Sequence, residues 1–499
     1  MFRRVLVANR GEIAGRVIRT CRRLGIGTVL TVSDADVESL PARLADKVIR
    51  IGPAPAADSY LNVDAVVGAA LAAGVDAVHP GYGFLSENAR LARACAAAGL
   101  VFIGPTPETL EAAGDKPAAR EHAIAAGLPV LPGGRIGPGG HGPGPSAPTG
   151  AREGTKAREG TGAGAGTEAG TEAREGTEAR EAAEARAGEL AGRIGFPVLV
   201  KAAGGGGGRG LRVVREPGEL ADAVSVASAE AGAAFGDARV YLERYVERGR
   251  HVEVQILGDG ERVIHLGDRD CSVQRRYQKL IEEAPAPGLD TDQRDRLRAA
   301  AVALGAHLGY RGAGTVEFLV DADRGEFYFL EVNARIQVEH PVTEAITGLD
   351  IVAEQIAIAE GRPLRLRQED VGFEGHAIEC RINAEDPDRD FRPSPGTVSH
   401  AVFPVSVGGR VRVDTHVQAG AAVPAYYDSL LAKVIAHGAD RAEALGTLGD
   451  ALERCAVEGV VTNLEMQRAV IGSPGFAGGG VDTGYLGRWL TEGPGVADG

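Results

Sequence analysis

The sequence lacks the features that attach a protein to a membrane. Its 499 residues contain no apolar run long enough to span a bilayer. The basic start, MFRRVLVANRGEIAGR, has no apolar stretch followed by a small-residue cleavage site, so we see no secretory signal. We therefore expect no membrane partner.

Closely spaced cysteines are also absent. The five cysteines, Cys21, Cys95, Cys271, Cys380 and Cys455, are scattered and form no CxxC pair. This spacing argues against a zinc site and against a disulfide framework. It predicts a protein of the reducing cytoplasm.

An excess of positive charge is absent as well. The net charge is −14, and nonspecific nucleic-acid binding needs a basic surface, so we expect no nucleic-acid partner. A hydrophobic content of 44% and a charged content of 24% are those of a soluble globular protein. The length allows two to four domains.

Residues 137–188 lack aromatic and large aliphatic side chains. They are built mainly from Gly, Pro, Ala, Glu, Thr and Arg, with imperfect repeats such as AREGTKAREGT. Such a segment cannot bury enough apolar surface to offset its ordering entropy, so its first part is predicted to be a disordered insert. From about Thr177 the helix propensity rises, which predicts the front of a helix leading to Phe196.

The first hundred residues alternate between apolar strands and amphipathic helices. We predict strands at Val5–Ala8, Thr28–Val32, Asp76–His79 and Val101–Gly104, a helix at Ile13–Leu24, and a second helix that Ser86 caps and that runs to Ala98. This alternation predicts an open, mostly parallel α/β domain.

A predicted β-hairpin, TVEFLVDADRGEFYFLEVN, carries two carboxylates. A three-residue loop closed by Gly325 in the left-handed conformation places Glu317 directly across from Glu331. Asn333 shares their face. These hard oxygen donors suit Mg²⁺ or Mn²⁺, although the same pattern also describes an ordinary hairpin with two solvent-facing glutamates.

The residues after the hairpin, RIQVEH, continue the alternation. It places Arg335, Gln337 and Glu339 on one side, in line with Asn333. A cation, an amide and a carboxylate in this order suggest positions for an anionic substrate and a base.

A glycine run, Gly204–Gly210, follows Lys201. Successive glycines let backbone N–H groups approach phosphates closely, although a bare glycine run is also typical of a flexible linker. The run matches GxGxxG through Gly205, Gly207 and Gly210, but a strand, Leu211–Val214, is predicted next. A dinucleotide fingerprint must open a helix, so we exclude a nicotinamide oxidoreductase.

Several stretches resemble biotin carboxylase, the ATP-grasp component of biotin-dependent carboxylases. They are VANRGEIA, HPGYGFLSEN, FIGP, DRDCSVQRRYQKLIEEAPAP, EFYFLEVNARIQVEHPVTE and GHAIECRINAEDP. The resemblance runs from Val5 to about Leu490. It implies an α/β and α+β fold with an N-terminal parallel α/β domain (1–113), an ATP-grasp domain (114–366) and a C-terminal biotin carboxylase domain (374–490). The ATP-grasp domain would contain a mobile lid (about 128–246) with the insert 137–188.

The resemblance also implies the roles of individual residues. It assigns Glu339 as general base, with Arg335, Lys279 and Arg381 as the other catalytic residues. It assigns Glu317, Glu331 and Asn333 to metal, and Arg381 and Tyr82 to biotin. Bicarbonate is assigned to Lys279, Arg335, Gln337, Val338 and Glu339. ATP is assigned to Lys116, Lys201, Gly205, Gly206, Gly207, Gly208, Glu243, Arg244, Tyr245, Val246, His251, Gln274, Glu317 and Glu331. Tyr277 departs from the histidine of many members and receives no role.

The reaction implied is ATP-dependent carboxylation of biotin by bicarbonate through carboxyphosphate, with two Mg²⁺ or Mn²⁺ ions. It is the first half-reaction of acetyl-CoA or another acyl-CoA carboxylase. The partners implied are a biotin carboxyl carrier protein, carboxyltransferase subunits and a second copy of the chain. We expect a separate carrier, because no lysine here is flanked by methionine and only nine residues follow Leu490.

Other functions remain open at this stage. Another ATP-grasp ligase, such as one that forms carbamoyl phosphate, would share the lysines and carboxylates but gives no account of RIQVEH together with ECRINAEDP. The biotin carboxylase subunit of a pyruvate or propionyl-CoA carboxylase fits the same motifs. A non-catalytic scaffold predicts loss of Lys201, Glu317, Glu331 or Glu339, and all four are present.

Overall fold

The computed structural model describes residues 1–136, 183–202, 211–235, 239–404 and 409–493. The chain forms two compact units, one made of Met1–Val130 and Arg248–Gly499 and the other of Leu131–Glu247. Most of the predicted insert, at 137–182, and the predicted glycine lid, at 203–210, lie outside the described residues. Across the described ranges, no helix is both long and apolar enough to cross a membrane.

The larger unit begins with a parallel five-stranded sheet, in the order β3-β2-β1-β4-β5. Its strands are β1 Arg4–Val7, β2 Gly27–Ser33, β3 Lys47–Gly52, β4 Ala77–His79 and β5 Val101–Phe102. Its helices are α1 Gly11–Arg23, α2 Leu40–Leu44, α3 Val63–Ala73, α4 Ala89–Ala97, α5 Pro107–Gly114 and α6 Lys116–Ala125. The central strands are buried on both faces, as helix-covered parallel sheets require. The predicted α/β alternation is confirmed.

The cap of α4 differs from the prediction. The side chain of Asn88, not that of Ser86, accepts a hydrogen bond from the backbone N–H of Leu91. Ser86 is buried in the preceding turn, where its N–H donates to the Gly83 carbonyl. Two good capping residues stand two positions apart in SEN, and the turn selects the second.

The smaller unit contains an antiparallel four-stranded sheet in the order β6-β9-β7-β8. Its elements are β6 Gly133–Ile136, a helix α7 at residues 183–194, β7 Val198–Ala202, β8 Arg212–Val214, α8 Leu220–Phe235 and β9 Val240–Arg244. Apolar residues of α7 and α8 pack with β7 and β9 in one core. A strand does follow the glycines, so the exclusion of a dinucleotide fingerprint stands.

The larger unit continues as an antiparallel eight-stranded sheet in the order β14-β13-β10-β11-β12-β15-β22-β20. Its first strands are β10 Gly249–Asp259, β11 Val263–Arg275, β12 Gln278–Ala284, β13 Arg311–Asp321 and β14 Glu326–Asn333. The others in this part are β15 His376–Asn383, β16 Glu385–Asp386, β17 Arg392–Pro393, β18 Gly396–Thr397, β19 His400–Val402, β20 Val411–Thr415, β21 Ala422–Val423, β22 Leu430–Gly438 and β23 Ala456–Glu458. The strand pairs β16-β17, β18-β21 and β19-β23 form separate two-stranded sheets.

Among the residues that the structure describes, this second part of the larger unit has seven α-helices. They are α9 Thr291–His307, α10 His340–Thr347, α11 Ile351–Ala359, α12 Arg441–Glu453, α13 Leu464–Ile471, α14 Pro474–Gly478 and α15 Tyr485–Glu492. Helix α12 and the helices after it cover an apolar core on β15 and β22. The fold as a whole is of the α/β and α+β class that the resemblance implied.

The β13–β14 hairpin reaches the expected pairing by a different route. Glu317 does pair with Glu331, and Gly325 is left-handed with φ +66°. The loop is one residue longer than predicted, because Asp321 pairs with Glu326. A bulge at Leu330 adds one residue on β14 and restores the register.

The segment after β14 is not a strand, which corrects the predicted alternation of RIQVEH. Residues 334–339 form an irregular turn, and α10 begins at His340 with Pro341 in its first turn. Proline suits this position because the N–H it lacks has no partner inside the helix. Arg335, Gln337 and Glu339 are therefore positioned by a turn rather than by strand periodicity.

Candidate active site

Lys279 on β12 is the centre of the candidate site. Its ammonium group donates to three carboxylates, at 2.6 Å to Glu253, 3.0 Å to Glu317 and 2.7 Å to Glu339. Burial alone would lower the pKa of Lys279, but the three carboxylates raise it well above its usual value. The lysine is therefore a fixed cation at the floor of the site.

Glu317 is the most heavily coordinated of these carboxylates. Its Oε1 also accepts from Asn333 Nδ2 at 2.8 Å and from Gln337 Nε2 at 2.7 Å. The Nε2 of His251 lies 2.9 Å from Oε2. Burial would raise the pKa of Glu317, but Lys279 and His251 hold it well below its usual value, so this carboxylate is ionised.

Glu339, the predicted general base, is buried between two cations. Besides Lys279 it accepts from Nη2 of Arg381 at 3.0 Å. Burial would raise the pKa of Glu339, but Lys279 and Arg381 outweigh it and hold the pKa below its usual value. The carboxylate is therefore unprotonated at neutral pH, which is the state that a base requires.

The predicted metal residues meet at the β13–β14 pair. Glu331 is half-exposed, and its nearest cation is Lys116, 3.8 Å from Oε2. Burial and the neighbouring Glu317 raise the pKa of Glu331. Two carboxylates and the Asn333 side chain form a hard-oxygen donor set whose like-charge repulsion a divalent cation would relieve, so the residues fit Mg²⁺.

The residues predicted for bicarbonate surround the same cluster. Arg335 donates to Glu87 at 2.9 Å and to Asn333 Oδ1 at 2.7 Å. The Val338 carbonyl accepts from Nζ of Lys433 at 2.6 Å. Glu317 accepts hydrogen bonds from both Lys279 and Gln337, and Lys279 also donates to Glu339. Arg335 is connected to this cluster through Asn333.

The two residues predicted for biotin lie on separate elements of the larger unit. Arg381 on β15 contacts Glu339 and also Glu282, whose Oε1 lies 2.6 Å from Nη2. The Tyr82 hydroxyl donates to Glu12 Oε1 at 2.5 Å. Burial, with Glu12 beside it, raises the pKa of Tyr82 well above its usual value, so the phenol keeps its proton.

The predicted ATP residues divide between the two units. His251 and Gln274 belong to β10 and β11 of the larger unit, and Gln274 pairs with Lys279 in the β11–β12 ladder. In the smaller unit, Lys201 donates to Glu243 at 2.6 Å, and β9 ends at Arg244 just before Tyr245 and Val246. Gly205, Gly206, Gly207 and Gly208 lie outside the described residues.

Sequence reasoning missed two buried residues that hold the cluster together. Arg269 on β11 is fully buried and donates to Glu253 at 2.6 Å and to Gln337 at 2.7 Å. Glu253 is fully buried between Arg269 and Lys279. The polar residues at every second position of HVEVQ were a signal, because a buried strand face that repeats polar side chains needs partners.

Tyr277 stands apart from this cluster. It is 65% exposed in the β11–β12 turn, where Arg276 and Tyr277 are both left-handed, with φ +51° and +67°.

Comparison with known families defines the class of the protein. Residues 1–110 match the model of the biotin carboxylase N-terminal domain, and residues 379–488 match that of the biotin carboxylase C-terminal domain. Residues 161–367 match the ATP binding domain of the carbamoyl-phosphate synthase L chain. With the antiparallel sheet and its carboxylate cluster, these matches define an ATP-dependent ligase.

Individual relatives extend over nearly the whole chain. A biotin carboxylase of Pseudomonas aeruginosa is 48% identical over 491 residues, 98% of this chain and 99% of that protein. A pyruvate carboxylase subunit of Methanothermobacter thermautotrophicus is 43% identical over 97% of this chain and 90% of that protein. The solved biotin carboxylase domain dimer of Hydrogenobacter thermophilus 2-oxoglutarate carboxylase, in complex with MgADP, ADP and bicarbonate, has a TM-score of 0.82, 41% identity and 98% coverage of both chains. The chain belongs to the biotin carboxylase family, which confirms the resemblance.

Proposed function

We propose that this chain carboxylates biotin with bicarbonate at the expense of ATP. The observation that supports this most strongly is the Lys279 ammonium group, held by Glu253, Glu317 and Glu339 beside Arg381. A fixed cation next to an ionised buried carboxylate can hold an anion and remove its proton. The site residues assigned from the resemblance are part of this proposal.

Lys279 and Arg335 attract bicarbonate, and Gln337 and the Val338 backbone orient it. Glu339 takes the bicarbonate proton, and the freed oxygen attacks the γ-phosphorus of ATP, with ADP leaving as carboxyphosphate forms. A bound anion diverts part of the Lys279 charge from Glu339, which makes the carboxylate a stronger base as substrate arrives.

Carboxyphosphate then loses its C–O bond to give CO₂ and phosphate. Phosphate takes the ureido proton of biotin, and the ureido nitrogen then forms an N–C bond with the carbon of CO₂. Arg381 stabilises the negative charge on the ureido oxygen, and Tyr82 is the second residue that binds biotin. Exclusion of water protects the reactive intermediate.

The nucleotide residues of this proposal are those that the family resemblance assigns. Lys116, Lys201 and the glycines 205–208 bind phosphates, while Glu243, Arg244, Tyr245 and Val246 bind adenine. His251 and Gln274 complete the nucleotide site. Glu317, Glu331 and Asn333 would hold two Mg²⁺ or Mn²⁺ ions, which neutralise charge on the phosphates during transfer. The proposed domain boundaries are 1–113, 114–366 and 374–490.

For the biological setting, we propose the first half-reaction of acetyl-CoA carboxylase in fatty acid synthesis, acting on a separate biotin carboxyl carrier protein. The partners would be this carrier, carboxyltransferase subunits and a second copy of the chain, since the Hydrogenobacter relative was solved as a dimer. The five cysteines are buried free thiols, which supports a cytoplasmic location. The match to the pyruvate carboxylase subunit of Methanothermobacter favours a second candidate, service to a pyruvate carboxylase.

The test is an assay with ATP, Mg²⁺, labelled bicarbonate and a biotinylated carrier protein. We expect ADP release that depends on biotin, with label retained on the carrier. ADP release that depends on ammonia and not on biotin would instead support a carbamoyl-phosphate-forming ligase. Transfer of the label to acetyl-CoA or to pyruvate by co-purified carboxyltransferases separates the two settings.

A further inference from the structure

Two fully buried glutamates face each other behind the candidate site. Glu282 on β12 and Glu379 on β15 are directly paired in the antiparallel ladder, and neither is accessible to solvent. Directly opposed residues of such a ladder have Cβ atoms about 4.5–5.5 Å apart, and like charges there are destabilising. The pair therefore cannot easily carry two negative charges.

Hydrogen bonding does not offset this repulsion. Among the described residues, no hydrogen-bond donor serves either carboxylate oxygen of Glu282 or of Glu379. In the part of the chain that the structure describes, the one close ionic contact of the pair is that of Arg381 Nη2, 2.6 Å from Glu282 Oε1. One guanidinium contact can balance one carboxylate, and among the described residues no cation is in contact with the second, Glu379.

Arg381 connects this pair to the proposed base. The same Nη2 that contacts Glu282 donates to Glu339 Oε2 at 3.0 Å. The guanidinium thus divides its charge between a carboxylate on the substrate side and one on the buried side. Any change in the charge of Glu282 alters the share that Glu339 receives.

We propose that Glu282 and Glu379 form a buried carboxyl pair that holds a single proton, and that the position of this proton sets how Arg381 divides its charge between Glu282 and Glu339. This inference rests on the proposed function only for its kinetic consequence. Glu282 and Glu379 are positioning residues, because they act on the reaction through Arg381. The shared proton moves between two oxygens of the pair, and no bond to substrate forms or breaks.

The surroundings agree with a single shared proton. Burial raises the pKa of Glu282 to about 7, against the opposing effect of Arg381, and raises that of Glu379 well above its usual value. The charged and titratable groups that act on the pair come from every neighbouring strand. They are Lys279 on β12, Cys271 on β11, Cys380 and Arg381 on β15, Lys433 on β22, and Glu339 before α10, with His340 beside Lys433.

The first experiment detects the proton without turnover. Infrared difference spectra between each variant and the intact protein at pH 7 isolate the carbonyl stretch of a protonated carboxyl group. Glu282→Gln and Glu379→Gln should each lose this band, because the remaining carboxylate then takes the single charge. Glu283→Gln is the matched control: Glu283 is the next residue on β12 and pairs with His376 and Arg441 instead. It should keep the band.

Each single variant should remain folded, because glutamine is isosteric with the neutral carboxyl group that the pair already contains. The double variant removes the one charge facing Arg381 and should be clearly less stable to urea. If either single variant keeps the band, or if the intact protein has none at pH 7, the shared proton is excluded.

The second experiment reads the charge division from pH profiles of kcat/KM for bicarbonate. Glu379→Gln fixes the charge on Glu282, which draws Arg381 away from Glu339, so the acid limb should move to higher pH. Glu282→Gln leaves Glu339 as the contact of Arg381, so the acid limb should move to lower pH. Misplacement of Arg381 should also lower kcat for biotin in Glu282→Gln by roughly 100-fold, with KM for ATP unchanged.

Shifts in the same direction for both variants would exclude the role in dividing the charge of Arg381. An intact protein without biotin-dependent activity would instead contradict the proposed function, and the infrared result would still stand. Glu283→Gln should leave the profile unchanged.

Discussion

The protonation of each buried carboxylate in this site depends on which cations contact it. Glu339 and Glu282 contact the same nitrogen of Arg381, yet their pKa values move in opposite directions. Both are buried, but Glu339 also accepts from Lys279, whereas Glu282 faces a second carboxylate. Glu339, the proposed base, is therefore kept ionised by one additional ammonium contact.

Replacing the base tests this assignment. Glu339→Gln should leave ATP binding nearly intact and lower biotin-dependent phosphate release by about 10²–10⁴-fold, because the bicarbonate proton loses its acceptor. Steady-state phosphate release and nucleotide titration measure the two effects. Glu369→Gln, at an exposed position that pairs with Arg367, is the control and should behave as the intact protein. Turnover close to normal in Glu339→Gln would remove this residue from the role.

The depressed pKa of Glu339 also predicts how stability depends on pH. A carboxylate whose pKa is lowered by folding stabilises the native state above its unfolded pKa of about 4.3. This contribution is lost as pH falls below that value towards the folded pKa. Urea midpoints measured from pH 6 to pH 3 should therefore fall less steeply in Glu339→Gln than in the intact protein. Parallel curves would show that Lys279 and Arg381 do not hold the carboxylate as described.

The sequence predicted those contacts that lie close together along the chain. Glu317, Glu331 and Asn333 belong to one hairpin, so local periodicity was enough to pair them. Arg269 was missed because one of its partners, Gln337, is distant in sequence. Glu282 was missed because the residue opposite it, Glu379, lies on β15, far along the chain. Lys279 and Arg381 were assigned only through the family resemblance.

At the scale of elements, the β13–β14 hairpin combines two irregularities that cancel. The loop is longer than predicted by one residue, and the bulge at Leu330 adds one residue to the opposite strand. An error of one position would have turned Glu331 to the other face. The prediction reached the correct pair only because these two differences cancel: turn chemistry identified Gly325, but neither the longer loop nor the bulge was predicted.

Gly325 should be the sensitive position of this hairpin. Gly325→Ala places a Cβ on a residue with φ +66° and should cost about 1–2 kcal/mol in free energy of unfolding. Gly68→Ala is the control, since Gly68 lies within α3 with open space around it and alanine is the better helix former. Urea denaturation should show a lower midpoint for the first and an equal or higher midpoint for the second. An unchanged midpoint in Gly325→Ala would mean that the loop refolds around the new side chain.

At the scale of the whole molecule, the parallel sheet was predictable and the antiparallel one was not. Alternating apolar strands and amphipathic helices follow each other along residues 1–110, so an open, mostly parallel sheet could be inferred, although β3 and the order of the strands were not predicted. The eight-stranded sheet pairs β12 with β15 across about ninety residues, and no local pattern indicates that neighbour. Its order follows only from long-range packing.

The carrier of biotin should be a different protein. The chain has six lysines, and neither methionine, Met1 nor Met466, adjoins one. A streptavidin blot of the chain made in cells with active biotin ligase should be blank, while turnover should rise steeply when a biotinylated carrier protein replaces free biotin. A known biotinylated carrier in the neighbouring lane is the control. A biotinylated band at the mass of this chain would contradict the prediction.

The continuous antiparallel sheet limits where this chain can exchange segments with its relatives. One matched family region ends at residue 367 and the next begins at 379. In the sheet, the boundary between the two regions therefore falls between the neighbouring strands β12 and β15. These two strands are hydrogen-bonded neighbours, and they carry the opposed glutamates and the arginine beside the base. A chimera joined at this boundary would pair β12 of one protein with β15 of another. The residues that face each other across β12 and β15 must therefore come from the same parent protein, and the C-terminal region is not an interchangeable module.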